Sequence, residues 1–136
     1  MPVIRITSLP FEHEAEIPAA IQKISATLAS LFDIDEQHIS ISWHYLSPGH
    51  YCCGGEVADL QSADTHPLAV DILIPDFNPA DVIEEILLAV AEVLAKSVNV
   101  SHDNIFIHLR TARSGTIFDS GMIAEWPAAT KGEPMT

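Results

Sequence analysis

The sequence predicts an α+β domain made of a tandem β-α-β repeat: a four-stranded mixed sheet with two helices on one face, plus short hairpin arms. Three observations lead to this prediction. The chain has 136 residues, of which 48% are hydrophobic, enough for one ordinary core. Two stretches carry apolar residues at three- and four-residue steps, the spacing of amphipathic helices. Two alternating strands match each other at an offset of about 66 residues.

The first repeat contains the signals of a strand, a helix, a second strand and a hairpin. Residues 2–7 predict a strand, because four of them, Val3, Ile4, Ile6 and Thr7, are β-formers. Pro18 fits only the first turn of a helix, so we expect the helix to begin near Glu16. In residues 39–44 apolar and polar side chains alternate, which is typical of a strand with one buried face, and residues 51–55 indicate a hairpin arm. The helical stripe consists of Ile17, Ile21, Ile24, Leu28 and Leu31.

The second repeat follows the same order. Residues 68–74 are nearly all apolar, so we expect a strand that is buried on both faces. Asn78 is a suitable N-cap, with Pro79 at the first helical position. Residues 105–110 alternate again, and two glycines near residues 115–121 bracket a second hairpin. The second helical stripe consists of Val82, Ile86, Val90, Val93 and Leu94.

The repeats define the domain organisation. We predict a single domain over residues 1–126, with repeats of about 2–60 and 68–126, and a loose tail over 127–136. Each β-α-β crossover should be right-handed, which places both helices on one face of the sheet. The opposite face then has no cover within one chain, and we expect oligomerisation to bury it.

Charge and cysteine usage exclude several classes of protein. Six basic residues face nineteen acidic ones, a formal net charge of −13, so neither nucleic acid nor an anionic membrane is an expected partner. Cys52 and Cys53 are adjacent and cannot join distant segments. No signal peptide and no apolar stretch long enough to span a bilayer is visible, so we expect a cytoplasmic protein. The six cations are Arg5, Lys23, Lys96, Arg110, Arg113 and Lys131.

Three motifs within this repeat resemble the tautomerase superfamily, over about residues 2–126. Met1-Pro2-Val3-Ile4 is similar to the family's start, where Met is removed and the amino-terminal proline becomes catalytic. Residues 48–56, Pro-Gly-His-Tyr-Cys-Cys-Gly-Gly-Glu, are similar to the carboxy-terminal hairpin of 4-oxalocrotonate tautomerase. Residues 101–108, Ser-His-Asp-Asn-Ile-Phe-Ile-His, are similar to the fourth-strand segment of macrophage migration inhibitory factor.

The resemblance implies that Pro2 is the catalytic base of a cofactor-independent enzyme. An amino-terminal proline is a secondary amine at the rigid end of a strand. An apolar pocket disfavours its cation and lowers its pKa toward the working pH, as general acid–base catalysis requires. Such a base can remove a proton beside a carbonyl group and return it elsewhere, which is keto–enol tautomerisation. We therefore expect a tautomerase acting on a small carbonyl or 2-oxo acid compound, with no cofactor and no metal.

Five further residues are candidates for the site, and each has a plausible structural role instead. Phe106 and His108 match positions that line a neighbouring subunit's pocket in the family, so the resemblance implies a homotrimer. His108 could hydrogen-bond a carbonyl oxygen or relay a proton, or be an ordinary interface histidine. Arg110 or Arg113 could hold a carboxylate, or form a structural salt bridge. Tyr51 matches a pocket aromatic, or it packs in the trimer.

The family's usual anion-binding residues are missing. The segment before the first helix, residues 10–13, has no arginine, and the family's strand arginine matches Ser40 and Phe106. Residues 74–78 replace an arginine pair, and a lysine of the family matches a position near Ile34. The sequence therefore predicts a neutral or monoanionic carbonyl substrate rather than a dianion.

Three other interpretations stay open. The chain could be a non-catalytic oligomer with a tautomerase-like fold, which the missing clamps favour. It could be a proline-dependent hydratase or decarboxylase of the same superfamily. Four residues within a span of ten could instead bind zinc or copper, although their spacing fits no standard zinc motif. These residues are His44, His50, Cys52 and Cys53.

Overall fold

The computed structural model describes residues 2–13 and 15–127, and these contain two α-helices and eight strands. The elements are β1 (Val3–Ser8), α1 (Ile17–Phe32), β2 (Ser40–Tyr45), β3 (Tyr51–Cys53), β4 (Glu56–Ala58), β5 (Leu68–Pro75), α2 (Ala80–Ser97), β6 (Ile105–Ala112), β7 (Ile117–Asp119) and β8 (Met122–Ala124). Short 3₁₀ turns precede β2 and β6.

Four strands form one mixed sheet in the order β2-β1-β5-β6. Each repeat contributes a parallel pair, β1 with β2 and β5 with β6, joined through its helix. The repeats meet at the centre, where β1 and β5 pair antiparallel and Ile4 lies opposite Ile72. The predicted α+β fold, with its two repeats and mixed sheet, is confirmed.

Both helices cover the same face of the sheet. The core combines the inward side chains of β1 and β5 with the apolar stripes of α1 and α2. The alternating strands β2 and β6 pack their apolar side chains against this core, as the sequence predicted. The residues at the centre of this core are Ile4, Ile6, Ile24, Leu28, Val70, Ile72, Val90 and Leu94.

The other face of the sheet, here called the outer face, is open in the single chain. In β5 the side chains alternate: Val70 and Ile72 are buried, Ala69 is exposed, and Asp71 and Leu73 are half-buried. The single chain therefore covers one face of this strand, because both helices lie on the same side, and the expected burial of its other face by oligomerisation stays a prediction. An apolar composition alone does not distinguish a strand covered twice from one covered once.

The sequence predicted the start of α1 correctly and placed the N-cap of α2 one residue too early. Glu16 is the N-cap of α1, and Pro18 lies in its first turn, as predicted. For α2, Pro79 rather than Asn78 is the N-cap, so the predicted cap was wrong by one residue. Asn78 instead closes a turn, because its side-chain Nδ2 donates to the carbonyl oxygen of Pro75 at 2.8 Å. That turn sets the path of the chain between β5 and α2.

Two hairpin arms, β3–β4 and β7–β8, project from the sheet and expose apolar side chains.

The linker between the repeats is held by buried polar side chains. Gln61 accepts a hydrogen bond from the Leu9 amide and donates to the carbonyl of His66. Asn104 donates to the carbonyls of Ser62 and Thr65. These bonds join the linker to both repeats, which supports their description as one domain.

The carboxy-terminal end is described as far as Pro127. The predicted loose tail over 127–136 lies, from residue 128 onward, outside the described residues. Neither α1 nor α2 combines the length and the apolar character needed to cross a lipid bilayer.

Candidate functional site

Pro2 lies at the amino end of β1, on the side of the sheet that the helices cover. Pro2 is buried, and the alternation of side chains along the strand places it on the same face as Ile4. The carbonyl oxygen of Pro2 accepts a hydrogen bond from the Ser40 amide at 3.0 Å. Because Val3 pairs with both Ser40 and Leu73, the strands on either side fix the position of Pro2.

A cavity of about 300 Å³ opens beside Pro2, between the ends of the two helices and the sheet. Its walls are apolar, and none of the described residues that line it carries a charge. Asn78 is the one lining residue with a polar side chain. The lining residues are Pro2, Leu28, Phe32, Ile34, Ile74, Pro75, Phe77, Asn78, Val82 and Ile86. A secondary amine at this position would therefore face an environment that disfavours its cation.

The β5–α2 loop, residues 76–79, forms one wall of the cavity and is fixed by Trp126. The Trp126 indole Nε1 donates to the Asp76 carboxylate at 2.8 Å. Its ring meets Phe77 edge-on, with ring centroids 5.8 Å apart. The Trp126 amide in turn donates to the Ser114 hydroxyl oxygen at 2.8 Å. The segment after β8 thus holds the loop that carries Phe77 into the cavity wall.

The outer face carries Phe106, His108 and Arg110 on β6, all of them exposed. Arg110 makes two hydrogen bonds to the carboxylate of Asp71, from Nε at 3.0 Å and from Nη2 at 2.9 Å. Arg5 and His108 pair with Asp71 across the neighbouring strands, so the carboxylate lies among three basic side chains. In the single chain, Arg110 therefore forms a salt bridge with Asp71, which was the structural role considered for it.

Charge pairing shifts the ionisation of both partners. The Arg110 guanidinium, chiefly through its hydrogen bonds, holds the pKa of the Asp71 carboxyl below its usual value of 3.8, against a smaller opposing effect of burial. Coulomb attraction from His108 and Arg5 adds to this lowering of the pKa. The same contact raises the pKa of Arg110 above its ordinary value. Asp71 is therefore a carboxylate throughout the neutral range, and Arg110 already has an anionic partner.

The remaining predicted site residues are distributed over the two arms. Arg113 is exposed at the end of β6, and its carbonyl oxygen accepts a hydrogen bond from Thr116 at the turn into β7. The Tyr51 hydroxyl donates to the carbonyl of Pro67 at 2.8 Å, and its ring meets His66 edge-on at 5.1 Å. Burial raises the pKa of Tyr51 above its ordinary value of 10.0, with a further contribution from Cys53. In one chain Tyr51 therefore joins the first arm to the linker.

One chain does not bring the predicted site residues together. Pro2 is on the covered side of the sheet, whereas Phe106, His108 and Arg110 point from the outer face. A site that combines them therefore requires a second copy of the chain to bring its own outer-face residues to the Pro2 end of the sheet.

The metal interpretation finds no support in the described residues. Within 2–13 and 15–127, no group of three or more His, Cys, Asp or Glu side chains is placed to hold a metal ion. Cys52 and Cys53 are exposed free thiols on β3, and successive residues of a strand point to opposite sides. The His44 ring instead makes a 3.0 Å hydrogen bond with the Ser42 hydroxyl.

Several features of the cavity were not predicted from the sequence. Phe32 and Val82 read as ordinary members or neighbours of the helical stripes, and Trp126, which fixes one wall, read as the end of the domain. Ile34 and residues 74–78 were noted only as positions where basic residues of the family are missing. Phe77 could have been found, because the antiparallel pairing of β1 and β5 places the start of one strand beside the end of the other. The loop that follows β5 must then lie next to Pro2.

No protein-family model matches the chain, and no curated protein matches its sequence. Solved structures do match. A protein called N1, a member of the cis-3-chloroacrylic acid dehalogenase (cis-CaaD) family, is 10% identical with a TM-score of 0.76, covering 92% of this chain and 85% of its own. A second structure, R7, shows a fused 4-OT wild type in an asymmetric trimer. It is 14% identical with a TM-score of 0.73, and the match covers 90% of this chain and 95% of that chain.

A third solved structure also matches the chain. The macrophage migration inhibitory factor-like protein of Entamoeba histolytica is 15% identical with a TM-score of 0.64, covering 89% of this chain and 97% of its own. All three are tautomerase-superfamily proteins. At these identities the likeness concerns the fold, so the chain has the tautomerase-superfamily fold over about nine-tenths of its length. The resemblance stated from the sequence is confirmed at that level.

The Asp71–Arg110 pair predicts a specific pH dependence of stability. A lowered pKa in the folded chain means that Asp71 stabilises the fold above its unfolded pKa, and that this contribution is lost as the pH falls through the folded pKa. The stability difference between wild type and Asp71→Asn should thus be constant above about pH 5 and shrink below about pH 4. Urea unfolding at a series of pH values measures it.

Arg110→Gln provides the matched background for this measurement. Without the guanidinium, Asp71→Asn should produce a much smaller pH-dependent difference, because the hydrogen bonds that lower the Asp71 pKa are gone. A difference that persists unchanged to pH 3, or that is equal in both backgrounds, contradicts the assignment of the pair.

Proposed function

We propose that the chain is a cofactor-independent tautomerase in which the amino group of Pro2 is the general base. The observation that carries this proposal is the position of Pro2, buried at the end of β1 and lining an apolar cavity. The amino group exists only once Met1 is removed, so the proposal includes that processing step. The tautomerase-superfamily fold supports the same function.

The reaction balances with one base. Neutral Pro2 takes a proton from the carbon next to the carbonyl group of the substrate, and that C–H electron pair forms a carbon–carbon double bond. The carbonyl oxygen becomes an enolate oxygen and takes the proton from the Pro2 ammonium, directly or through water, which gives the enol and regenerates the amine. In the reverse direction the Pro2 amine takes the enol O–H proton, and the resulting ammonium delivers a proton to carbon. The apolar cavity favours the neutral amine, which is the form that can act as a base.

The other predicted site residues enter this proposal through a neighbouring subunit. A homotrimer would bring the outer face of one chain to the Pro2 end of another, where Phe106 would form an apolar wall. His108 would donate a hydrogen bond to the carbonyl oxygen. Arg110 or Arg113 would hold a carboxylate if the substrate carries one, and Tyr51 would shape the rim. The trimer of the fused 4-OT supports this assembly by fold alone.

A non-catalytic oligomer is the second candidate function. The Asp71–Arg110 pair favours it, because Arg110 already has a carboxylate partner and is not waiting for a substrate anion. A hydratase or decarboxylase of the same superfamily would keep the amine protonated, and the uncharged walls of the cavity oppose that form. A cytoplasmic location stays a prediction from the sequence.

Replacing the amino-terminal proline tests the mechanism directly. Pro2→Ala should lower the rate of enol–keto conversion of phenylpyruvate, a monoanion, by roughly 10²-fold or more, the usual contribution of a positioned base. Spectrophotometry follows the enol, and intact mass must first show that Met1 is absent from both proteins.

Pro18→Ala is the matched control for this experiment. Pro18 is an exposed proline in the first turn of α1 and does not line the cavity, so its replacement should leave the rate unchanged. Equal rates for wild type and Pro2→Ala, or retention of Met1 in an active protein, would end the Pro2 mechanism.

The proposed homotrimer predicts a mass of about three times 14.8 kDa in sedimentation equilibrium. Phe106→Glu should dissociate it, because Phe106 is an exposed apolar residue on the outer face and a charge there would have to be buried in the assembly. Leu88→Glu is the matched control: Leu88 has the same exposed fraction, 64%, but lies on α2, away from that face. A monomeric wild type contradicts the shared site.

A further inference from the structure

We infer that the cavity beside Pro2 binds an uncharged carbonyl compound with a flat apolar group, such as an arylalkyl ketone or aldehyde with a hydrogen on the carbon next to the carbonyl group, and discriminates against carboxylates. This inference rests on the proposed function, since it assigns the substrate class of the same site. It narrows the expectation from the sequence, which left neutral and monoanionic compounds open, and it therefore gives Arg110 and Arg113 no substrate carboxylate to hold. It follows from the composition of the cavity walls and the placement of charge around them.

The residues that line the cavity provide apolar contact surface and no charge. Phe32 and Phe77 contribute aromatic rings, and Ile34 and Val82 contribute aliphatic side chains. At about 300 Å³ the cavity is at the lower end of the range for small-molecule sites. An apolar group of one ring gains by leaving water for such a cavity, whereas an unpaired carboxylate loses its hydration there without compensation.

Carboxylates, and no basic groups, occupy sequence positions next to the residues that line the cavity. Asp33 and Asp35 flank Ile34, Asp76 precedes Phe77, and Asp81 precedes Val82. Their charge would repel an anionic ligand. No described lysine or arginine lines the cavity. The cations among the described residues are Arg5 and Arg110 beside Asp71, Lys96 paired with Glu92, and the exposed Lys23 and Arg113.

The amino end of α2 is a structural element near the cavity that attracts negative charge. Asn78 and Val82 connect it to the lining, and the helix begins at Ala80. Asp81 already lies in its first turn, where a carboxylate offsets the positive end of the helix dipole. This end can favour a partly negative carbonyl oxygen, but it does not supply the full countercharge that a carboxylate needs.

Trp126 fixes the shape of the aromatic wall. Its hydrogen bond to Asp76 and its edge-on contact with Phe77 hold the loop in the position that closes the cavity on one side. Trp126 does not line the cavity itself, so it is a positioning residue for Phe77. Its indole N–H, 2.8 Å from the Asp76 carboxylate, also provides a spectroscopic reporter close to the bound ligand.

A matched pair of probes tests the substrate class by binding alone. 4-Phenylbutan-2-one and 4-phenyl-2-oxobutanoate share one skeleton and differ in a methyl group against a carboxylate. We expect the ketone to bind at least about tenfold more tightly, because only the oxo acid must bring an unpaired charge to the cavity. Calorimetry gives the dissociation constants, and a shift of the Trp126 indole N–H resonance shows that binding is at this cavity.

A single added charge supplies the matched control. Ile34→Lys places an ammonium at the lining and should shift the ratio of the two dissociation constants toward the oxo acid by about tenfold. Leu88→Lys adds the same charge on α2, at a 64% exposed residue that neither lines the cavity nor adjoins a lining residue, and should leave the ratio unchanged. If Ile34→Lys does not fold, Phe77→Lys at the exposed rim makes the same test.

The outcomes separate this inference from the proposed function. Pro2→Ala should keep the preference for the ketone, since the walls and not the amine select it. If the ketone binds more tightly but turnover does not depend on Pro2, the tautomerase proposal is wrong and the inferred class of ligand is retained. Equal or tighter binding of the oxo acid, or an equal change of the ratio in Ile34→Lys and Leu88→Lys, overturns the inference even if Pro2 is catalytic.

Discussion

The antiparallel pairing of β1 with β5 is the constraint on which the rest of the structure depends. It places the start of the first repeat beside the end of the first strand of the second, so that Val3 lies opposite Leu73. The two-residue alternation of a strand then assigns every side chain to one face. Pro2 and Ile4 are turned toward the helices, and Arg5 is turned away with Asp71.

Two separate chemical environments follow from this assignment. The covered face ends in an apolar cavity that contains Pro2, and the outer face carries the Asp71–Arg110 pair with His108 beside it. The net charge of −13 sharpens the contrast, because carboxylates flank the cavity residues while the described cations lie elsewhere. A neutral amine and a neutral ligand suit the first environment. The second is suited to contacts between copies of the chain.

The sequence predicted the architecture better than the site. Alternation in residues 39–44 and 105–110 and the two helical stripes determine which faces are buried, since burial follows directly from periodicity. Asn78 was misread, because an N-cap preference is a local signal that tertiary contacts override. The cavity depends on Phe77 and Trp126, residues 49 positions apart whose contact no local pattern reveals.

The ionisation of Pro2 is the most direct measure of this account. A chain labelled with ¹⁵N-proline and shown by mass to lack Met1 can be titrated by NMR, beside the free peptide Pro-Val-Ile-Arg. The apolar cavity predicts that the pKa of the Pro2 amine lies below that of the peptide, because burial without a countercharge disfavours the ammonium. A pKa equal to or above that of the peptide would contradict the central claim that the cavity keeps Pro2 neutral as a base.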